Sequence, residues 1–217
     1  MDIQAVLFDC DGLMFNTEVI AQEIWKETAN KYHFSLPADF FKQITGSEVK
    51  KELLEDPTVG EIFTEANQKR YDLNFWKKQK IDSMNKKGLV ELFDYLEEKK
   101  IHAVICSSSP KQYVEVLLER VSKPLSYEFI IGGDSVSHKK PDPEIFLKAS
   151  ALLSVKPEQC LVLEDSKNGI IAAHRANMHH CFIEDTIEKD DELEKLIEFE
   201  EKDLNGVIQL LNKVSIK

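Results

Sequence analysis

Short apolar segments rich in β-branched residues recur along the chain, and four of the five come after residue 100. Such runs, when polar or turn-forming residues bound them, are typical of buried strands. The five predicted strands cover residues 4–9, 102–107, 127–132, 160–165 and 180–184. Helical patterns at residues 113–121, 144–153 and 169–177 alternate with these later strands. The alternation predicts an α/β fold with a doubly wound parallel sheet.

The segment between the first and second predicted strands has a different pattern. Residues 16–80 are charged, follow a helical period and contain no strong strand signal. The predicted helices of this segment cover residues 18–32, 38–43, 48–55, 60–67 and 69–79, and a further helix at residues 88–99 leads back to the sheet. We therefore expect a helical domain at residues 16–80, inserted into a core domain formed by residues 1–15 and 81–217.

The composition is that of an ordinary globular protein, with 42% hydrophobic and 31% charged residues. No run approaches the roughly 18 apolar residues of a membrane span, so no membrane partner is expected. Asp2, Asp9 and Asp11 interrupt the basic and apolar pattern that a signal peptide needs, and we expect a cytoplasmic protein. The net charge of −11 argues against a nucleic-acid partner, because phosphate backbones are held mainly by clustered Lys and Arg.

The four cysteines lie in or beside apolar stretches and form no CxxC pair. They are Cys10, Cys106, Cys160 and Cys181. This pattern fits buried free thiols in a reducing compartment better than disulfides, and it argues against a zinc site.

Polar residues follow the predicted strands at the edge where doubly wound sheets form their sites. These residues are Asp9 and Asp11 after the first strand, Ser107, Ser108 and Ser109 after the second, Lys140 after the third, and Glu164 and Asp165 after the fourth. Acids that meet at strand ends repel one another unless a cation lies among them, and oxygen ligands without His or Cys favour Mg²⁺. The pattern predicts a phosphoryl-transfer site with Mg²⁺ as its cofactor.

Each of these motifs, taken alone, also has a structural interpretation. Acids and serines at a strand end can cap the next helix, and paired lysines are usually solvated. Only the combination of all four groups favours the chemical interpretation, and for Ser108 and Ser109 a capping role stays open.

Four motifs in order carry a resemblance to the haloacid dehalogenase superfamily. They are FDCDG at residues 8–12, ICSSS at residues 105–109, KKPDPEIF at residues 139–146 and LEDSKNG at residues 163–169. Within that superfamily the chain is similar to the phosphatases and the beta-phosphoglucomutase-like subfamily with a helical cap. The resemblance covers essentially the whole chain, and it implies a Rossmann-like core with an inserted α-helical cap domain.

The resemblance also implies roles for the acids. Asp9 looks like the nucleophile that forms an aspartyl-phosphate, and Asp11 is similar to the general acid and base of the family. The implied metal ligands are Asp165, one carboxylate oxygen of Asp9 and the backbone carbonyl of Asp11, with Glu164 near the metal or behind its ligands.

The same resemblance makes Ser107, Ser108 and Lys140 the candidate phosphate-binding residues. In this family, residues of the cap select the substrate. Our candidates for contact with the substrate are Trp25, Thr45, Gly46, Ser47 and Glu48. The expected partner is a small phosphorylated metabolite, such as a sugar or polyol phosphate, and a monomer is the default of the family.

Two departures in the cap distinguish a phosphatase from the sugar-phosphate mutase of the subfamily. Ala21 stands where the mutase has a histidine close to the general acid, and Val49 follows Gly46 where the mutase has an arginine. Lys50 would supply a point charge but not the bidentate geometry of arginine. We therefore predict a Mg²⁺-dependent phosphatase, with a beta-phosphoglucomutase-like mutase as the alternative. A purely binding role is disfavoured, because Asp9 and Asp11 are both present.

Overall fold

The computed structural model describes residues 1–37, 40–41, 56–79, 84–185 and 189–214. Its centre is a six-stranded parallel sheet with the strand order β3-β2-β1-β4-β5-β6. The strands are β1 at Ala5–Phe8, β2 at His102–Cys106, β3 at Ile130–Ile131, β4 at Cys160–Glu164, β5 at His179–Ile183 and β6 at Phe199–Glu201. The predicted α/β fold with a doubly wound parallel sheet is confirmed.

Nine α-helices have both ends in the described part of the chain, which also contains 3₁₀ helices at Gly133–Ser135 and Pro157–Gln159. The α-helices are α1 at Thr17–Lys31, α2 at Pro57–Arg70, α3 at Leu73–Trp76, α4 at Leu89–Lys99, α5 at Lys111–Glu119, α6 at Glu144–Leu153, α7 at Lys167–Arg175, α8 at Asp191–Leu196 and α9 at Leu204–Val214. None of these helices is both long and apolar enough to cross a membrane.

The alternation of side chains along β1 explains why both faces of the sheet are covered. Val6 and Phe8 pack into a core with residues of α4, α5 and α9. Ala5 and Leu7 point to the opposite face and pack with residues of α6 and α7. All four side chains are fully buried, as the continuous apolar sequence of a central parallel strand requires.

The register of the central strands brings their carboxyl ends level. Phe8, the last residue of β1, pairs with Ile105 of β2 on one side and with Leu163 of β4 on the other. The residues that follow these three strands therefore meet at one edge of the sheet, which is where the sequence places most of its candidate site residues.

The helices between β1 and β2 form a separate apolar cluster. Trp25 of α1 and Ile62 of α2 are buried in it together with Phe40. The predicted division of this region at residues 67–69 is wrong, because α2 runs without a break from Pro57 to Arg70. Asp72 then caps the short helix α3 by accepting a hydrogen bond from the backbone N–H of Asn74. The helix predicted at residues 48–55, and all but two residues of the one at 38–43, lie outside the described residues.

Two short segments connect these helices to the sheet, and they pair with each other. The backbone N–H of Asn16 donates to the Met84 carbonyl at 2.7 Å, and that of Lys86 donates to the Met14 carbonyl at 2.9 Å. Phe15 and Asn85 form an isolated antiparallel bridge between them. The chain thus leaves the sheet and returns to it side by side.

Candidate active site

The two acids of the first motif lie just beyond β1, on a tight turn. The backbone N–H of Asp9 still bonds to the Leu163 carbonyl of β4, at 3.0 Å, so Asp9 keeps its strand position. Gly12 then adopts a φ of +80°, which L residues with side chains rarely adopt. A Cβ at Gly12 would lie 2.1 Å from Asp165 Oδ2, so the turn also needs a glycine for space. The turn brings the backbone after Asp9 against the acid that follows β4.

Lys140 connects the ends of three strands through its ammonium group. Its Nζ donates hydrogen bonds to Asp9 Oδ1 at 2.6 Å, to Glu164 Oε1 at 2.6 Å and to the Cys106 carbonyl at 2.9 Å. The side chain is only 4% exposed. Burial opposes a charged lysine, but the negative charges of Asp9 and Glu164 outweigh it and raise the pKa of Lys140. Lys140 is therefore a fixed positive charge beside Asp9.

Glu164 is fixed from its other side by the residue that starts the next helix. Ser166 Oγ donates to Glu164 Oε2 at 2.9 Å, and the same hydroxyl oxygen accepts from the backbone N–H of Gly169 as the cap of α7. Glu164 is fully buried. A capping residue of α7 thereby also holds a carboxylate of the site.

Three buried acids lie together here, and two of them, Asp9 and Glu164, share the single lysine Lys140. Asp9, Glu164 and Asp165 each offer a carboxylate oxygen, and these oxygens lie within 4.8 Å of one another. Burial raises the pKa of Asp9 to about 7, although the attraction of Lys140 opposes the effect. Burial, followed by the charges of Asp9 and Glu164, also raises the pKa of Asp165 well above its usual value. Oxygen ligands around an excess of negative charge fit a hard divalent cation such as Mg²⁺.

A second group of possible ligands lies at the surface and has a structural explanation. His138, Asp142 and Glu144 also come within ligating distance of one another. However, Glu144 already accepts hydrogen bonds from the backbone N–H groups of Ser137 and His138, both at 2.8 Å. The interactions of Glu144 order the loop that leads to Lys140.

Asp11 is held by three hydroxyl groups rather than by a cation. Thr17 Oγ1 donates to Asp11 Oδ1 at 2.6 Å, Tyr113 Oη donates to the same oxygen at 2.9 Å, and Ser109 Oγ donates to Oδ2 at 2.6 Å. Burial and the charge of Asp11 raise the pKa of Tyr113 well above its usual value, so the phenol stays a donor. The three donors come from α1, α5 and the loop after β2, and they fix the orientation of the Asp11 carboxyl group.

The serines after β2 occupy three different environments. Ser107 is buried, and its Oγ accepts from the backbone N–H of Ser109 at 3.0 Å. Ser108 has an exposed side chain. Ser109, for which the sequence left a helix-capping role open, instead donates to Asp11. Ser107 and Lys140 thus lie at the strand ends beside Asp9, while the Ser108 side chain faces solvent.

The candidate cap residues are described only in part. Trp25 is buried and packs against Phe40 and Phe63 at ring-centroid distances of 5.1 Å and 5.5 Å, which places it in the helical cluster. The other candidates, Thr45, Gly46, Ser47 and Glu48, lie outside the described residues.

Sequence reasoning missed an ion pair close to the site. Arg70 Nη2 of α2 donates to Glu18 Oε1 of α1 at 2.7 Å, and both side chains are mostly buried. Burial opposes the charge of Glu18 and raises its pKa, with Arg70 opposing this effect and Asp11 adding to it. Only the packing of α1 against α2 brings the two residues together, so their separation in sequence gave no signal.

Comparisons with known proteins agree with this fold. Residues 6–183 match the family described as haloacid dehalogenase-like hydrolase. The chain is 28% identical over 182 residues to the phosphorylated carbohydrates phosphatase of Thermotoga maritima, covering 83% of this chain and 84% of that protein. It is 26% identical over 181 residues to the fructose-1-phosphate phosphatase of Escherichia coli strain K12, covering 80% of this chain and 92% of the relative.

A solved structure extends the likeness to the fold of nearly the whole chain. The β-phosphoglucomutase of Clostridium difficile matches with a TM-score of 0.75 and 22% identity, covering 99% of this chain and all of the other. At that identity the likeness concerns the fold alone.

The parallel sheet and these relatives together define an α/β hydrolase of the phosphatase class. The chain belongs to the haloacid dehalogenase-like hydrolase family. The predicted family and the prediction of a phosphatase-type enzyme are confirmed at this level.

Proposed function

We propose that this chain is a Mg²⁺-dependent phosphatase that hydrolyses a small phosphate monoester through an aspartyl-phosphate on Asp9. The observation that carries the proposal is the placement of Asp9. Its carboxylate is bonded to Lys140 and lies beside Glu164 and Asp165, with ligating oxygens within 4.8 Å. A nucleophilic carboxylate needs such an environment, because it must approach a phosphate that carries the same sign of charge.

The reaction divides between the two acids of the first motif. Asp9 attacks the phosphorus, so that an Asp9 oxygen–phosphorus bond forms while the bond from phosphorus to the ester oxygen breaks. Asp11 gives its proton to the departing ester oxygen. In the second step a water molecule gives a proton to Asp11 and attacks the phosphorus, which releases inorganic phosphate and restores Asp9.

The remaining residues supply charge and orientation. The residues that would hold Mg²⁺ are the Asp9 and Asp165 carboxylates and the backbone carbonyl of Asp11, with Glu164 beside them. When bound, Mg²⁺ supplies positive charge that offsets the buried acids and the phosphate oxygens. Lys140 favours the ionised form of Asp9 against the effect of burial, and Ser107 is assigned to the phosphate oxygens.

The substrate class follows from the relatives and from the inserted helices. Both of the named relatives are phosphatases of phosphorylated carbohydrates, which supports a sugar or polyol phosphate as the substrate here. We assign the choice of leaving group to a cap domain at residues 16–80, mounted on a core domain of residues 1–15 and 81–217. The paired connecting segments near Phe15 and Asn85 support this division.

The mutase alternative is disfavoured by an observation in α1. Ala21, at the position where the mutase would have a histidine, is buried with 2% of its surface exposed. Position 49, where the mutase would have an arginine, lies outside the described residues. We also propose that the enzyme is cytoplasmic and monomeric, and size-exclusion chromatography tests the second point.

A phosphate-release screen tests the proposed function. Purified protein is assayed against a panel of sugar, polyol and other metabolite phosphates, with Mg²⁺ and with EDTA. We expect release from at least one compound only with Mg²⁺, and loss of that release in Asp9→Asn. The matched control is Asp94→Asn, whose surface ion pair with Lys123 lies away from the site and whose activity should be retained. Activity that persists in Asp9→Asn would contradict the proposal.

A further inference from the structure

Asp185 is an acid that neither the motifs nor the proposed mechanism uses. It follows β5, the neighbour of β4 in the sheet, and so lies at the same edge as the site acids. Its side chain is only 9% exposed. Lys86, in the segment that returns from the inserted helices, forms an ion pair with Asp185 Oδ1. One oxygen of this carboxylate therefore has a partner.

The other oxygen of Asp185 is buried and has no hydrogen-bond partner among the residues that the structure describes. Leaving a buried carboxylate oxygen unpaired costs more than leaving a neutral acceptor unpaired, because the desolvation of a charged group is not repaid. Each such atom in a native protein therefore needs an explanation, of which an unseen ion or water is a common one. Asp185 Oδ2 lies close to Gly12, and Gly12 in turn lies close to Asp165.

The backbone at Gly12 locates this unpaired oxygen relative to the site. A Cβ at Gly12 would lie 3.2 Å from Asp185 Oδ2 and 2.1 Å from Asp165 Oδ2. The two carboxylate oxygens are thus no further apart than the sum of these distances. Gly12 directly follows Asp11, whose backbone carbonyl is an assigned Mg²⁺ ligand. Asp185 Oδ2 consequently faces the side of the proposed metal site formed by Asp165.

Two ionised carboxylates at this separation repel each other unless a group with positive charge or acidic hydrogens lies between them. Lys86 compensates Asp185 from the far side, through Oδ1. Asp165 has no hydrogen bond or ion pair to a lysine or arginine within the part of the chain that the structure describes. Water bound to Mg²⁺ fits this position, because the ion usually keeps several waters and their hydrogens need acceptors.

We propose that Asp185 is an outer metal-positioning residue whose Oδ2 accepts a hydrogen bond from a water bound to Mg²⁺ at Asp165. This inference rests on the proposed function, since it requires the metal site. Lys86 bonds only to Oδ1 and offsets part of the charge of the carboxylate, while Oδ2 stays available to the site. The ion pair links Asp185, at the edge of the sheet, to the segment that returns from the inserted helices. The backbone N–H of Lys86 also bonds to the Met14 carbonyl, in the segment that leaves the sheet.

The test measures Mg²⁺ binding directly, by isothermal titration of the metal-free protein with Mg²⁺ alone. In Asp185→Asn the amide oxygen satisfies Lys86 and the amide N–H₂ faces the site, where an acceptor is needed. Because second-layer partners of metal ligands typically change affinity 10–100-fold, we expect binding about tenfold weaker or worse. Asp203→Asn is the matched control, since it breaks the neighbouring but exposed ion pair with Lys87, and it should bind Mg²⁺ like the wild type.

A second variant separates this role from a merely structural ion pair. Lys86→Met breaks the same pair but leaves the Asp185 carboxylate, so we expect Mg²⁺ affinity equal to or tighter than that of the wild type. Weaker binding in Asp185→Asn, together with unchanged or tighter binding in Lys86→Met, supports the inference. Equal losses in both variants, or an Asp185→Asn affinity within twofold of Asp203→Asn, overturn it while leaving the proposed function intact. A wild-type protein that binds no Mg²⁺ overturns both.

Discussion

Asp11 stands out among single residues because three hydroxyl groups hold its carboxylate. A general acid must present its proton to one oxygen of the substrate, so its orientation matters as much as its acidity. Thr17 and Tyr113 bond to one oxygen and Ser109 to the other. Among the three donors, Tyr113 also packs its ring edge-on against Tyr71 and Trp76, both at centroid distances of 5.4 Å.

Removal of the Tyr113 hydroxyl tests whether it positions Asp11. Tyr113→Phe keeps the ring packing and loses one buried hydrogen bond, worth about 1 kcal/mol or about fivefold in rate. We expect kcat/KM to fall by about that factor for alkyl phosphates, whose leaving oxygen needs a proton. For p-nitrophenyl phosphate, whose leaving group is stable as an anion, the fall should be clearly smaller.

The control for this experiment is Tyr95→Phe, which loses an exposed hydrogen bond to Asn212. It should leave kcat/KM unchanged for both substrates. Equal losses on alkyl and nitrophenyl esters in Tyr113→Phe would mean that the hydroxyl has no role in leaving-group protonation.

At the scale of single elements, α7 packs its first turn against a site carboxylate. Gly169 lies in this helix, and a Cβ there would come within 1.8 Å of Glu164 Cδ. Alanine normally stabilises a helix relative to glycine by about 1 kcal/mol. Here Glu164 is fully buried and bonded to Lys140 and Ser166, so it has no room to move.

Gly169→Ala should therefore destabilise the protein, by about 1–3 kcal/mol as for other overpacked sites, and reduce Mg²⁺-dependent activity. Thermal unfolding and the phosphate-release assay measure the two effects. Gly206→Ala is the matched control, because its Cβ would meet the Glu201 carboxylate at 2.3 Å, away from the site. It should retain full activity and a Tm close to that of the wild type, because the partly exposed Glu201 side chain can turn away from the added methyl group. A Gly169→Ala variant that is more stable and fully active would show that Glu164 can shift freely.

Glu65 joins the helices α1 and α2 of the inserted region. It accepts hydrogen bonds from Lys31 at 2.7 Å and from Tyr32 at 3.1 Å, and it pairs with Lys69 at 3.0 Å. The bond from Lys31, followed by that from Lys69, lowers the pKa of Glu65 to about 2. A lowered pKa means that Glu65 stabilises the fold above its unfolded pKa of 4.5, and that this stabilisation is lost as the pH falls from there through about 2.

Glu65→Gln should accordingly lower Tm slightly at pH 7, and the difference from wild type should shrink at pH 3. The effect is small because the pair is solvent-screened. Calorimetry at the two pH values measures it, with the exposed neighbour Glu61→Gln as control. A Tm difference that is the same at both pH values would contradict the assigned role of the carboxylate charge.

For the molecule as a whole, sequence reasoning located the central sheet because its strands are continuous apolar runs. The predicted strands at residues 102–107 and 160–165 end within a residue of β2 and β4. The edge strand β6 was missed, since Phe199 is its only apolar residue and period-two patterns need more than one. The helices α8 and α9 were not predicted either.

Some residues of the site could be predicted from sequence motifs, and others are recognised only from their tertiary contacts. The sequence brought together Asp9, Lys140, Glu164 and Asp165, because each lies at or after the carboxyl end of a predicted parallel strand. Thr17 and Tyr113 contact Asp11 only because helices pack at the edge of the sheet. Asp185 lies near the site only because β5 is the neighbour of β4. Residues whose role depends on tertiary contacts leave no periodic pattern in a single sequence.

The distinction between phosphatase and mutase is also a property of the whole molecule, because it depends on what the inserted region holds over the core. With the best sugar phosphate from the screen, ³¹P NMR should show inorganic phosphate equal to the ester consumed. No phosphate isomer of the same sugar should accumulate. Accumulation of an isomer with little free phosphate would favour the mutase.

The central claim is that Asp9 carries the phosphoryl group, and a trapping experiment tests it most directly. Asp11→Asn lacks the base for the second step, and p-nitrophenyl phosphate needs no acid in the first. The variant is therefore mixed with this ester and Mg²⁺, quenched in acid and digested. Mass spectrometry of the peptide that contains Asp9 should show one added phosphoryl group, and the same peptide from Asp9→Asn should show none. Substrate consumption by the wild type, with no phosphoryl group on Asp9 in the trapped variant, would contradict the account.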